Sequence, residues 1–66
     1  MDHPEVATSY NNIGYAYHLM KDYDHAIEYY QKAYDILINI LGAEHPKVNI
    51  LIDNIENSRI EKLHKQ

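Results

Sequence analysis

The sequence contains no cysteine, and only two glycines and two prolines occur among its 66 residues. Without cysteine, neither a disulfide nor a thiolate metal site can stabilise the fold. A glycine-rich phosphate loop is also excluded. No apolar run reaches the roughly 18 residues that a membrane-spanning helix needs, and the start at Met1, Asp2 and His3 does not resemble a leader. We therefore expect a soluble protein of a reducing compartment, by default the cytoplasm.

The chain also carries little positive charge. Ten acidic side chains outnumber six basic ones, and the basic residues gather only towards the C-terminus, so no broad basic face exists for a phosphate backbone. We expect neither nucleic acid nor a membrane as a partner. Chains of this length form one small domain and bury only about 60% of the surface that the unfolded chain exposes, so we expect marginal stability.

An internal repeat organises the chain. Residues 3–6 (HPEV) return 42 residues later as residues 45–48 (HPKV). Because a fixed period marks repeat architectures, we divide the chain into one full unit, residues 1–44, and half of a second, residues 45–66. These limits fit an excised or engineered fragment as well as a complete natural protein.

Start and stop signals predict three helices. Pro4 and Pro46 suit first helical turns, Gly42 suits a left-handed helix terminus, and either Asp22 or Asp24 can cap a helix start. The links are short, which makes neighbouring helices antiparallel. The predicted helices lie near residues 5–20, 24–41 and 47–64.

Apolar spacing predicts how these helices pack. The first helix has one apolar stripe at steps of three and four, with Gly14 beside it. Glycine inside a helix costs about 1 kcal/mol relative to alanine, so we expect Gly14 to admit the second helix closely, opposite Ala26 and Ala33. The second helix has two apolar stripes about 100° apart. The first stripe consists of Ala26, Ile27, Tyr30, Ala33, Tyr34, Leu37 and Leu41, and the second of Tyr29, Ile36 and Ile40. We expect one stripe to contact each neighbour, with the tyrosines filling the space between helices.

These residues resemble the tetratricopeptide repeat family, in which aromatic, Leu-Gly, Tyr and Ala positions recur at fixed spacings. The matching residues are Tyr10, Ile13, Gly14, Tyr17, Ala26 and Tyr30. The 42-residue form is similar to the repeats of kinesin light chains. The resemblance implies an all-α fold of the α-solenoid type, a helical hairpin plus one capping helix. It also implies a non-catalytic protein–protein interaction module without a cofactor.

Departures from the family pattern affect this interpretation. Lys21 stands where a glycine commonly ends the first helix, and no proline ends the second. In the third helix, Glu56 and Arg59 occupy the positions of Gly14 and Tyr17. Burying these charges unpaired would cost several kcal/mol, so we expect the third helix to accept no further helix and to end the array with a polar outer face.

Candidate chemical groups do not form a recognisable catalytic or metal site. Asp22 and Asp24 flank a helix start, where capping explains them better than acid–base chemistry. Ser9 and Ser58 have no plausible base in the pattern, so we predict no enzymatic activity. No two histidines are spaced four apart on one helix, so we predict no metal site. The histidines are His3, His18, His25, His45 and His64.

The resemblance implies a peptide-binding surface, because the first helix of each unit lines a concave wall in this family. The resemblance also places on this wall His18, Ile50, Asp53 and Asn57. Adjacent asparagines suit an extended peptide, since an amide both donates to and accepts from a peptide backbone; alternatively they are only solvated. The implied peptide-binding residues are Thr8, Asn11, Asn12, Tyr15, Leu19 and Asn54.

Self-association is the other predicted interaction. A flat layer of three helices buries little apolar surface, so we expect a homodimer that covers the outer edge of the first two helices. The residues of this edge are Val6, Tyr10, Tyr17, Ile36, Ile38 and Ile40. The alternative function is a structural or engineered repeat fragment whose only partner is a second copy, with no peptide ligand.

Overall fold

The structure, a computed structural model, describes residues 3–64. The predicted units 1–44 and 45–66 also include Met1, Asp2, Lys65 and Gln66, which lie outside the described residues. The all-α fold is confirmed, and residues 3–64 contain no strand. Each helix begins and ends within one residue of its predicted position. The helices are α1 (Pro4–Leu19), α2 (Tyr23–Leu41) and α3 (Pro46–His64).

Side chains at the helix starts satisfy backbone N–H groups. The Asp22 carboxylate accepts a hydrogen bond from the backbone N–H of His25 at 3.3 Å, so Asp22 rather than Asp24 caps α2. At the start of α3, His45 Nδ1 accepts a hydrogen bond from the backbone N–H of Lys47 at 3.1 Å. In both cases the capping side chain belongs to the residue immediately before the first residue of the helix.

Both links between helices contain a residue with positive φ. Lys21, which follows α1, has φ 65°, so a lysine adopts here the conformation for which the family usually supplies glycine. Gly42, which follows α2, has φ 89° and ψ 163°. That combination is essentially restricted to glycine, but it lies outside the left-handed helical region that the sequence predicted.

The core is centred on α2, which packs against α1 on one side and α3 on the other. The three helices form a flat layer whose Cα extents are 37 × 20 × 13 Å. Within residues 3–64, no helix is long and apolar enough to cross a membrane. The buried core residues are Ala7, Ala26, Tyr30, Ala33, Leu37, Val48, Leu51 and Ile55.

Gly14 lies where α1 and α2 approach each other closely. A Cβ atom at Gly14 would lie 2.8 Å from Cδ1 of Tyr30 and 3.1 Å from the carbonyl oxygen of Ala26. The predicted close approach is therefore confirmed, and Ala26 is one of the partners. The nearest side chain is the Tyr30 ring rather than Ala33.

The tyrosines of α2 lie between helices, but not by the simple division expected. Tyr29 belongs to the second apolar stripe, yet its ring packs on α1, with centroid distances of 5.9 Å to Tyr10 and 5.6 Å to Tyr17. Tyr34 belongs to the first stripe and borders a depression beside α3. The prediction of one stripe per neighbouring helix is therefore wrong.

Candidate functional site

A groove runs between α1 and α3, with α2 at its base. Its volume is about 290 Å³. Ala7, Leu37 and Leu51 are buried and form an apolar floor. The remaining lining residues, which form the walls, are Thr8, Asn11, Lys47 and Ile50. We call this feature the α1–α3 groove.

An amide pair lies beside this groove and joins its two walls. Asn54 Nδ2 donates a hydrogen bond to Asn11 Oδ1 at 3.2 Å. Within residues 3–64, no side-chain hydrogen bond uses the Asn11 amide N–H groups or Asn54 Oδ1. The pair therefore retains one donor group and one acceptor, the two functions that a peptide backbone requires.

The predicted peptide-binding residues fall into two groups. Thr8 and Asn11 line the groove, and Asn54 contacts Asn11. The exposed side chains of Asn12, Tyr15 and Leu19 lie outside the groove lining. Residues 8, 12, 15 and 19 follow steps of four, three and four, so they form one stripe along α1 beside the groove.

His18 does not extend the peptide-binding wall as the resemblance implied. A hydrogen bond of 2.9 Å joins its Nδ1 to Ser58 Oγ on α3, and its ring meets the Tyr23 ring edge-on at 5.2 Å. The expectation that Ser58 has no base nearby is also wrong. Ser58 is fully buried, however, so its hydroxyl presents no accessible face to a substrate.

Lys47 is a wall residue that the sequence reasoning missed. Lys47, Ile50 and Asn54 follow steps of three and four on α3, so the spacing that placed Ile50 and Asn54 on the wall also includes Lys47. Its ammonium group forms no ion pair within residues 3–64. Among the described residues, Lys47 is the only charged one that lines the groove.

His25 lies outside the groove. A hydrogen bond from His25 Nδ1 to Asp22 Oδ2, 2.9 Å long, raises the pKa of His25 above its usual 6.5, and the charge of Asp22 adds to this effect. The His25 ring also stacks on Tyr17 with a centroid distance of 5.0 Å.

Within residues 3–64, no three His, Asp or Glu side chains come together in an arrangement that could hold a metal ion.

The predicted self-association edge is only partly exposed. Tyr10, Tyr17, Ile36 and Ile38 are half-buried, whereas Val6 and Ile40 remain about 40% and 38% exposed. Lys32 Nζ lies 5.8 Å from the ring centroids of both Tyr10 and Tyr29. Ile13, which is 39% exposed, adds an apolar side chain that the prediction did not include.

The fold and the residue pattern agree with a comparison against known families. The family model described as Tetratricopeptide repeat matches residues 6–47, which is more than half of the chain. The chain belongs to the tetratricopeptide repeat family. The match covers α1 from its third residue, all of α2 and the start of α3. No curated protein and no solved structure matches the chain. Tetratricopeptide repeats are generally protein–protein interaction modules without catalytic activity, so the family supports that class of function for this chain.

Proposed function

We propose that this tetratricopeptide repeat is a non-catalytic interaction module that binds an extended peptide in the α1–α3 groove. The observation that carries the proposal is the amide pair of Asn11 and Asn54 beside an apolar floor. The pair offers a donor and an acceptor to a peptide backbone, while the floor accepts an apolar side chain.

The size of the groove limits how tightly a peptide binds. Its volume of about 290 Å³ is at the lower end of typical ligand sites, which span roughly 300–1,000 Å³. Standard protein interfaces bury about 800 Å² on each partner, and one groove of this size provides less. We therefore expect weak binding that becomes stronger when several copies are held together.

Peptide arrays and groove variants test the proposal. Chains carrying Asn11→Ala or Ile50→Ala should bind array peptides at least 10-fold more weakly than the unmodified chain, because each change removes one wall contact. The control is Asn49→Ala, an exposed residue of α3 outside the groove. Equal binding by all chains, or no bound peptide at all, would contradict the proposal.

A second pair of changes tests how far the ligand extends along α1. Asn12 and Tyr15 are exposed beside the groove, so the double variant Asn12→Ala, Tyr15→Ala should leave the melting temperature unchanged. We expect this variant to abolish peptide binding if the ligand covers the stripe of residues 8, 12, 15 and 19 along α1. Retained binding would confine the ligand to the groove lining.

Self-association is the second candidate, and the exposed apolar residues Val6, Ile13 and Ile40 favour it. A copy that covers this edge would remove these side chains from water. Sedimentation should then show that Ile36→Lys, Ile40→Lys lowers the mass at high concentration. The control is Leu19→Lys, which alters an exposed apolar residue away from the edge. A monomer at every concentration of the unmodified chain would exclude this candidate.

A further inference from the structure

One flank of α3 has the spacing of a helix-packing stripe but no helix covers it within residues 3–64. Its members follow steps of four, three and four, which is the spacing of an antiparallel helix pair. Ile52 is half-buried, and the other three side chains are exposed. We call it the α3 stripe; it consists of Ile52, Glu56, Arg59 and Leu63.

The repeat shows what the corresponding flank of α1 does. Tyr10, Gly14 and Tyr17 lie 42 residues before Ile52, Glu56 and Arg59. On α1 this flank faces α2, with the Gly14 backbone against Tyr30. On α3 the same flank borders only an open depression of about 210 Å³, which it shares with side chains of α2.

The two charges of the α3 stripe are not paired with each other. Glu56 and Arg59 are three residues apart on one helix, a spacing at which opposite charges often interact. Nevertheless, neither forms an ion pair within residues 3–64. Both side chains therefore remain available to a partner with complementary charges.

Two copies of the α3 stripe that run in opposite directions are complementary to each other. In an antiparallel pair of α3 helices related by a twofold axis between residues 57 and 58, Glu56 of each copy lies opposite Arg59 of the other. The same axis places Ile52 opposite Leu63. The arrangement thus joins two ion pairs at the centre with one apolar contact at each end. Because each charge then has a partner, the cost of unpaired burial, from which we expected α3 to accept no further helix, does not apply to this pairing.

We propose that the α3 stripe binds the α3 stripe of a second copy of this chain in an antiparallel twofold pair. This interface shares no residue with the Val6, Tyr10 and Ile40 edge or with the lining of the α1–α3 groove, so it is independent of both proposals above. The contact is short, so the dimer is weak, and salt weakens it further because the ion pairs lie at the surface.

Two single charge reversals provide a test without any other change to the chain. Glu56→Arg leaves two positive charges in the stripe, and Arg59→Glu leaves two negative charges. Each variant alone should dimerise about 10-fold more weakly than the unmodified chain, because like charges meet at both central positions. An equimolar mixture should form the mixed dimer, since each positive stripe meets a negative one. Native mass spectrometry distinguishes the mixed dimer because the variants differ in mass.

The controls separate this interface from other contacts. Ile50→Lys, on the opposite flank of α3, should leave dimerisation unchanged, and circular dichroism should show that all variants are folded. The double variant Glu56→Arg, Arg59→Glu should dimerise as the unmodified chain does. Random pairing already makes the mixed dimer about twice as abundant as each variant's own dimer, so a mixed dimer at or below that ratio would overturn the proposal. A double variant that fails to recover association would also overturn it, as would an unmodified chain that stays monomeric at about 1 mM, the concentration of a very weak interface.

Discussion

The repeat-related helices α1 and α3 bury different faces of the same pattern. α3 buries Val48, Leu51, Ile55 and Ser58, whereas the α1 residues 42 positions earlier, Val6, Ser9, Ile13 and Ala16, are exposed. Conversely, α1 buries Gly14 against α2, and its counterpart Glu56 is exposed. A helix of this repeat thus has one face for the preceding hairpin and one for the following helix. Position along the chain decides which face is buried.

The isoleucines at equivalent positions provide the strongest test of this comparison. Ile55 is 7% exposed and Ile13 is 39% exposed. Ile55→Ala should lower the free energy of unfolding by about 3 kcal/mol, because it leaves a cavity in the core. Ile13→Ala should lower it by about 1 kcal/mol or less, since much of that side chain is already in water. Urea unfolding of the two variants measures the difference, and similar losses would show that α1 and α3 do not differ as described.

Gly14 and its counterpart Glu56 provide the next test. Gly14 packs against the following helix, α2, whereas Glu56 is exposed. Gly14→Val should destabilise the fold by about 2 kcal/mol, because its side chain would collide with the buried Tyr30 ring and overpack the core. Glu56→Val places the same side chain in the same register of α3, where it meets solvent. We expect a change within about 0.5 kcal/mol there. Thermal unfolding checks both variants, and a tolerated Gly14→Val would contradict the close contact between α1 and α2.

Ser58 and its counterpart Ala16 provide a smaller contrast. Ser58→Ala should cost about 1 kcal/mol, because it removes the hydrogen bond between His18 and a fully buried hydroxyl. Ala16→Ser introduces the same hydroxyl at an exposed site and should change stability by less than about 0.5 kcal/mol. Combining Ser58→Ala with His18→Ala measures the coupling in a double-mutant cycle. Additive effects in that cycle would mean that the hydrogen bond contributes nothing to stability.

Features set by local chemistry were predictable from the sequence. Pro4, Pro46 and Asp22 mark helix starts because each satisfies or avoids an unpaired backbone N–H group. Gly14 was informative because a mid-helix glycine is costly unless a neighbouring backbone needs the space. The family signature supplied the order of the helices, and the bounds of the helices followed within one residue.

Features that depend on how α3 sits against α1 were not predictable. The contacts of His18 with Ser58 and of Asn11 with Asn54 join residues 40 and 43 positions apart. Such pairs form only at one crossing angle and one rotation of α3, which periodicity does not determine. The position of Lys47 was predictable only in part. Its spacing from Ile50 is visible in the sequence, but the groove that both residues line is not. The sequence therefore indicated the wall but not its hydrogen-bonded partners.

The pH dependence of stability provides the smallest expected effect. It concerns the hairpin of α1 and α2, which contains His25, rather than α3. Asp22 raises the pKa of His25 above 6.5, so protonated His25 stabilises the folded chain. This contribution is fully present below the unfolded-state pKa and is lost as the pH rises through the higher folded-state pKa. The stability difference between the unmodified chain and His25→Gln should therefore be larger at about pH 5.5 than at about pH 8. An NMR titration of His25 with a midpoint at or below 6.5 would contradict the predicted direction. Such a midpoint would show that Asp22 does not stabilise the protonated imidazole in the folded chain.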